Sequence, residues 1–332
     1  MTSKTPITKT NTVNLWAGLP IATLMGADAD TTAKAVQDFL RGPHTWHADG
    51  VERRLDVATV VTASQPVGAM FDYLLTDKGE MTPDKKLIYK REIGILGIGM
   101  NTVDLLVVAG GAPVERFTLG ANAGVRRLLE LTNSDGLYSL AERDDQLRAG
   151  TLDLSTAQPV WAREVLGLIE QTWETKFKRF GAIVVVGGGS LLMREDLLRR
   201  FGGQAIIADD PVLATARGLY KYSTMKAAKT GDTTETLAFD AGFGSIKLFG
   251  RRGGLVLQSA VATNGTKALG KLTGLKAARR PLHVENARGS FYVGQGAHNF
   301  GRPVQNLDFD RLTGSPEMLA LFHGAATKYF EA

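Results

Sequence analysis

The sequence predicts an α/β protein, and three observations carry that prediction. Short apolar runs of strand length alternate with helical patterns along most of the chain. Two glycine-rich turns between strands, GIGMNTVD at 97–104 and DAGFGSIK at 240–247, repeat the same style of glycine, hydroxyl and acidic residues. Residues 181–192, GAIVVVGGGSLL, run a buried-type strand into three glycines and a helix, a junction that offers unpaired N–H groups and a positive helix end to a ligand.

Length and composition narrow the classes. A chain of 332 residues has room for roughly two or three domains and a large core. Its 38 glycines exceed the usual ~7 per cent and fall in separate clusters, which points to close backbone approaches at particular places. The net charge is +5 and the pI about 9.3, yet Lys and Arg are dispersed, with only short pairs such as Arg199-Arg200, Arg251-Arg252 and Arg279-Arg280. No basic stripe is interleaved with aromatics, so nucleic acid is not expected as the main ligand, while weak association with polyanions stays open. Without cysteine there is no disulfide framework, no thiolate nucleophile and no thiolate-bound metal, and redox reasoning leaves the compartment open. The polar start, MTSKTPITKTNT, has no apolar signal-peptide core, and no later apolar run nears the ~20 residues of a membrane span, so the default expectation is a cytoplasmic protein.

In chain order, a disordered tail of about 12 residues precedes a strand at 13–19, a helical pattern at 29–40 and strand material at 51–63. SQPVGAMFDYLL (64–75) reads as a helix capped by Ser64, with Pro66, Gly68 and Ala69 letting it pass close to another backbone. Residues 92–120 give two or three short strands, 123–132 a helix, and 133–157 a polar insertion. The run 159–180 is an amphipathic helix whose Trp161, Leu168 and Trp173 are core contacts. A strand at 183–186 leads to a helix at 191–200, a further helix lies within 208–223, and 226–235 is polar and linker-like. Then come the hairpin at 237–250, strand at 254–262, a Gly-, Lys- and Arg-rich region at 263–306 with a strand at 290–293, and a closing helix at 315–330. Ser315 caps that helix and Pro316 occupies its first position.

The hairpin at 237–250 is the chemical centre of this reading. Its tip glycines are expected to adopt φ > 0 and bring N–H groups to an anion, while Ser245 and Lys247 add a hydroxyl and a positive charge. Taken alone, the same residues equally make a plain tight turn. Each glycine cluster is ambiguous singly, and GGGS is shared by many α/β proteins. Two turns of matching chemistry, a strand-GGGS-helix junction and a small-residue helix together are more specific, since two facing turns would grip a polyphosphate from both sides.

This set resembles the actin-like ATPase superfamily, with its duplicated actin/ribonuclease-H-like fold of two lobes around a nucleotide cleft. FDAGFGSIK (239–247) is similar to its first phosphate motif, GIGMNTVD (97–104) to its second and VVVGGGSLL (184–192) to its adenosine motif. ADDPVLATARGLYKY (208–222) resembles the closing helix of bacterial and archaeal plasmid-segregation actins, and VTASQPVGAMFD (61–72) their hinge helix. The order departs from that family, because the first motif follows the closing helix. The sequence therefore looks circularly permuted, with 224–236 as the permutation linker. The domains expected are lobe I from 13–92, 208–262 and 305–330, a small insertion at 263–304, and lobe II from 93–207 with its own insertion at 133–157.

The resemblance implies ATP or ADP as ligand, with GTP an open alternative, and Mg²⁺. It implies that Gly242, Gly244, Ser245 and Lys247 hold the β-phosphate, with Asp240 reaching the magnesium through water. Gly99, Met100, Asn101 and Thr102 would meet the γ-phosphate, and Gly187, Gly188, Gly189 and Ser190 the ribose and base. Gln65 stands where the family orients the attacking water. Two positions depart from the pattern: Gly97 replaces the aspartate that opens the second phosphate motif, which puts the hydrolysis rate in doubt, and Thr215 replaces an asparagine. The implied function is a cytoskeletal ATPase that assembles head to tail with itself, for DNA segregation or cell organisation, with adaptor or cargo undefined. The alternatives are a non-polymerising scaffold and a sugar- or acetate-kinase-like phosphotransferase. A dinucleotide-binding dehydrogenase fits poorly, since GGGS lacks the fingerprint spacing and the acidic residue at a strand end.

Overall fold

The computed structural model describes residues 11–24, 27–263, 280–304 and 314–332. The tail read at residues 1–10 and the run 264–279 of the expected insertion lie outside the described residues, as do 305–313.

The chain enters on β1 (Asn11–Leu19), buried almost throughout, as a strand covered on both faces must be. Next, α1 (Ala29–Leu40) buries Val36 and Leu40. β2 (Gly42–Ala48) and β3 (Val51–Ser64) form an antiparallel hairpin around Asp49 (φ 49°) and Gly50 (φ 81°), the two left-handed residues that a tight primed turn needs. α2 (Gln65–Leu74) starts directly after Ser64, with Pro66 in its first turn, and α3 (Pro83–Tyr89) is short.

A second group follows: β4 (Glu92–Ile98), β5 (Val103–Ala109), β6 (Ala112–Pro113), β7 (Leu119–Ala121), α4 (Val125–Leu131), α5 (Leu140–Arg148) and α6 (Ala157–Trp173). It continues with β8 (Ala182–Val186), α7 (Gly189–Leu192), α8 (Arg194–Phe201), β9 (Ala205–Ile207) and α9 (Ala214–Thr230). The chain closes on β10 (Glu235–Ala241), β11 (Ser245–Gly250), β12 (Gly253–Gln258), β13 (Val261–Thr263), β14 (Leu282–Asn286), β15 (Gly289–Val293), β16 (Arg302–Pro303) and α10 (Pro316–Glu331).

The strands make two sheets. The larger runs β12-β11-β10-β1-β3-β2-β14-β15-β13-β16, and the smaller β6-β5-β4-β8-β9 with β7 on β5. Both share one pattern: an antiparallel hairpin (β10/β11, β4/β5) whose first strand pairs in parallel with a second strand (β1, β8), which pairs in parallel with a third (β3, β9). In the smaller sheet the pattern follows chain order. In the larger, the hairpin comes after both of the strands that follow it in the pattern, β10 starting at Glu235 where β1 ends at Leu19 and β3 at Ser64.

Side-chain alternation sorts the core. On β4, Ile93 and Ile95 face the cluster containing Ala69, Met70, Leu74 and Ala214, while Leu96 and Ile98 face Trp161, Val165 and Trp173. The larger sheet buries Leu15, Val57, Phe239 and Leu248 with Leu321, Phe322 and Ala325 of α10. Where α2 crosses α9, a Cβ on Gly218 would fall on Gly68 O, so only glycine permits that approach. Phe71 stacks on Tyr222 at 4.1 Å, and Arg217 grips Asp72 with two bonds of 2.7 and 2.6 Å.

Several elements differ from expectation. The stretch 224–236 is helical through Thr230, because Lys226-Ala-Ala-Lys229 continues α9 until Gly231 (φ 72°) caps it; the connection is only residues 231–234. The helix read over 159–180 ends at Trp173, where Glu174 turns to φ 49°. The single helix read at 191–200 is α7 and α8, broken at Met193. The insertion 133–157 holds α5, fixed by a capping box between Ser139 and Glu142.

Candidate functional site

A cavity of about 560 Å³ opens where the two sheets present their hairpin tips to each other. It is lined by Asp240, Gly242, Gly244, Ser245 and Lys247 from β10/β11, and by Gly97, Gly99, Met100, Asn101 and Thr102 from β4/β5. Gly187, Gly188 and Gly189 line it after β8, Gln65 at the start of α2, and Thr215 at the start of α9. Of the expected site residues, Ser190 alone is not brought there. It is fully buried, and its Oγ donates to Gly187 O at 2.7 Å, so it shapes the glycine turn from behind.

The glycines act differently from expectation. Gly242, Gly244 and Gly99 do not have φ > 0; what Gly242 and Gly244 supply is room. A Cβ at Gly242 would lie 2.7 Å from Ser245 O, and one at Gly244 would lie 3.0 Å from Met100 Cβ, where the two tips touch. Gly187 does require the left-handed region (φ 89°), and it and Gly189 pack on Ile98, leaving Gly188 as the open member. All three line the cavity, Gly188 with room around it and its two neighbours packed at the junction with β4.

The acidic centre is buried. Asp240 Oδ1 accepts from Gln65 Nε2 at 2.7 Å, and its Oδ2 pairs with Lys247 Nζ at 3.1 Å. Asp104, directly opposite Gly97 in the β4/β5 register, also lines the cavity. Its Oδ2 accepts from Thr102 Oγ1 at 3.0 Å, while Oδ1 is buried with no partner among the described residues. Burial pushes the Asp104 carboxyl up to about 6; the Thr102 hydroxyl opposes this and the Asp240 charge adds to it. Asp104 thus carries an unpaired buried oxygen and lines the same cavity as Asp240, and two carboxylates with substrate phosphates are a donor set that fits magnesium. Among the described residues no group of three or more His, Asp or Glu could hold a metal on its own.

Two charged lining residues lie outside every motif. Asp144 and Arg148 come from α5 in the polar insertion, and Arg148 donates to Gly244 O at 3.1 Å while pairing with Asp144 at 2.8 Å. Asp104 is the acid of the GIGMNTVD motif, but its place opposite Gly97 needs the strand register to be seen.

Comparison with solved structures decides the fold. The crystal structure of the actin-like protein Alp7A matches with TM-score 0.55 and 16% sequence identity, over 66% of this chain and 69% of that one. The apo pSK41 ParM protein matches with TM-score 0.51 and 19% identity, over 68% and 67%. The chain has an actin-like fold. No protein-family model and no curated protein matches the sequence, so the likeness is one of fold. Within that actin-like fold the cavity lies between the two sheets, lined from both. Among the described residues no helix is long and apolar enough to cross a membrane.

Proposed function

We propose that this actin-like chain binds ATP between its two lobes, hydrolyses it, and assembles head to tail with itself into filaments. The observation that carries the reading is the convergence on one cavity of two hairpin tips, a glycine junction and Gln65. Phosphoryl transfer needs positioning and electrostatic stabilisation more than covalent chemistry, and these groups supply both. Lys247 brings a positive charge to the tip of β10/β11, and Gln65, as an amide, aligns a water without acting as a strong base. Magnesium, held from Asp240 and the bound phosphates, would neutralise charge on the transferred group. Nucleotide touching both lobes biases their angle and so the surfaces that copies present to one another. Open head-to-tail contacts then give filaments. A role in DNA segregation or cell organisation follows only as the use to which such a filament is put.

The strand order supports a permuted reading of the chain. The hairpin-strand-strand pattern runs β4, β5, β8, β9 in one sheet but β10, β11, β1, β3 in the other. Opened at residues 231–234 and read on from residue 332 to residue 1, the order becomes the same in both halves. The testing experiment is sedimentation with electron microscopy in ATP, ADP and a non-hydrolysable ATP analogue. Filaments with ATP and the analogue are expected. Tight static binding without polymer would replace this reading by a scaffold, and turnover only with an added acceptor by a phosphotransferase.

A further inference from the structure

Gly97 stands where the resemblance leads one to expect an acid, and the register shows what faces that gap. Gly97 pairs across the strands with Asp104, on the cleft face of β4 and β5. A Cβ at Gly97 would meet Asp104 Cβ at 3.7 Å and Val186 Cγ2 at 4.0 Å, so there is space for a side chain and none is present. Asp104 is 4% exposed, and its Oδ1 has no partner among the described residues. Asp240, the buried carboxylate of the facing hairpin, is matched by Gln65 and Lys247, and Asp144, a third buried acid lining the cavity, by Arg148 and Gln258. A buried carboxylate oxygen without a donor is costly, and the cost persists in a folded protein where the group has a partner at some stage of its work.

We propose that Asp104 supplies, from β5, the carboxylate that Gly97 does not supply from β4, and that with Asp240 it orders the water shell of the magnesium ion accompanying the nucleotide. The inference rests on the nucleotide-binding reading above. On this assignment each hairpin still brings one carboxylate to the cleft although position 97 has none, Asp104 from β5 and Asp240 from β10. It also alters what Gly97→Asp alone should do: two like charges directly opposite in a strand pair repel, so that change adds a carboxylate where one already serves.

The test is calorimetric titration of ATP with Mg²⁺ and with EDTA, on the wild type, Asp104→Asn, and Gly97→Asp combined with Asp104→Asn, together with ligand-free thermal melts. Asp104→Asn is near-isosteric and removes an unpaired charge, so its ligand-free melting temperature is expected to hold or rise. Its gain in ATP affinity on adding Mg²⁺ is expected to fall about tenfold, as for other groups that order a metal's surroundings. The double variant, with the acid moved to β4, is expected to recover most of that gain. An Asp104→Asn variant with the wild-type ratio of affinities overturns the assignment, as does a drop in affinity of equal size with and without Mg²⁺. A wild-type chain that binds no ATP at all sinks the proposed function itself, which is a separate and visible outcome.

Discussion

Gln65 holds Asp240 through a 2.7 Å bond while opening α2, so a single amide ties the helix start to the β10/β11 tip. Its position makes separable predictions. In the proposed function Gln65 orients the attacking water and makes no phosphate contact, so in Gln65→Ala ATP affinity should stay within about threefold while phosphate release slows about 100-fold. In the same proposed function Lys247, paired with Asp240 in the structure, meets the phosphates, so Lys247→Ala should weaken binding by on the order of 10- to 100-fold, as for a lost charge-assisted hydrogen bond. Fluorescent-nucleotide binding and phosphate-release assays check both, and equal losses in the two assays for Gln65→Ala would count against its role. At this scale the sequence was informative about which residues meet and less so about why. Gly242 and Gly244 are where the motif put them, yet their function is clearance from Ser245 O and Met100, which no reading of turn types supplies. Ser190 looked like part of a ligand-facing run but turns inward to Gly187 O.

Elements meet through contacts that make the same substitution opposite in sign at two sites. Gly218→Ala in α9 would place a methyl on Gly68 O of α2, a backbone atom that cannot yield, and should cost about 3 kcal/mol or more of stability. Gly167→Ala in α6 meets nothing within 4 Å and should stabilise by up to about 1 kcal/mol. Urea midpoints of both variants check the pair. A second prediction concerns how α10 is seated. His44 Nε2 lies 2.9 Å from Leu40 O, His44 Nδ1 3.2 Å from His323 Nε2, and His323 Nδ1 3.4 Å from Asn286 Nδ2. One arrangement satisfies all three: Asn286 donates to His323, neutral His323 donates to His44, and neutral His44 donates to Leu40 O. An added proton would set donor against donor, and burial lowers the His323 value to about 3 and moves His44 the same way. A depressed histidine contributes stability that is complete above its unfolded value of 6.5 and is lost as pH falls below it. From pH 6.5 to 5 the loss from His323 alone is about 2 kcal/mol, and His323→Gln should flatten the dependence of the melting temperature on pH over that range. The strong element signals were legible: the buried run of β8, the helical spacing of α6, and the Ser315-Pro316 start of α10, whose Oγ accepts from Met318 N. β2 was missed, although Asp49-Gly50 is a hairpin turn, because GPHTWHA alternates weakly and half faces solvent. β9 and β14, at 3 and 5 residues, carry too little pattern to stand out.

At the scale of the molecule, the question is whether chain order matters to a fold whose sheets are closed by pairing rather than by sequence. β10 lies between β11 and β1, held to β1 by a parallel register from Val13 with Glu235 to Gly18 with Asp240, and that pairing does not depend on which segment is made first. The connection that delivers β10 is residues 231–234, all exposed, after a glycine-capped helix end. Cutting an exposed loop removes few contacts, whereas the same cut inside α9 would open the crossing with α2. A chain reordered as 235–332 followed by 1–234 is therefore expected to fold, with residues 1–10 serving as the new link, a length that reaches up to about 33 Å. Its melting temperature should lie within about 5 °C of the original, and its ATP affinity within about threefold, since every cavity-lining pair is regenerated. Long-range contacts set folding speed, and the reordered chain places β10 and β11 ahead of β1, so its refolding rate is the quantity expected to change most. Insoluble or non-binding reordered protein would show that the helix-to-strand connection at 231–234 is itself part of the structure, and would remove the ground for reading the two halves as one pattern in two orders.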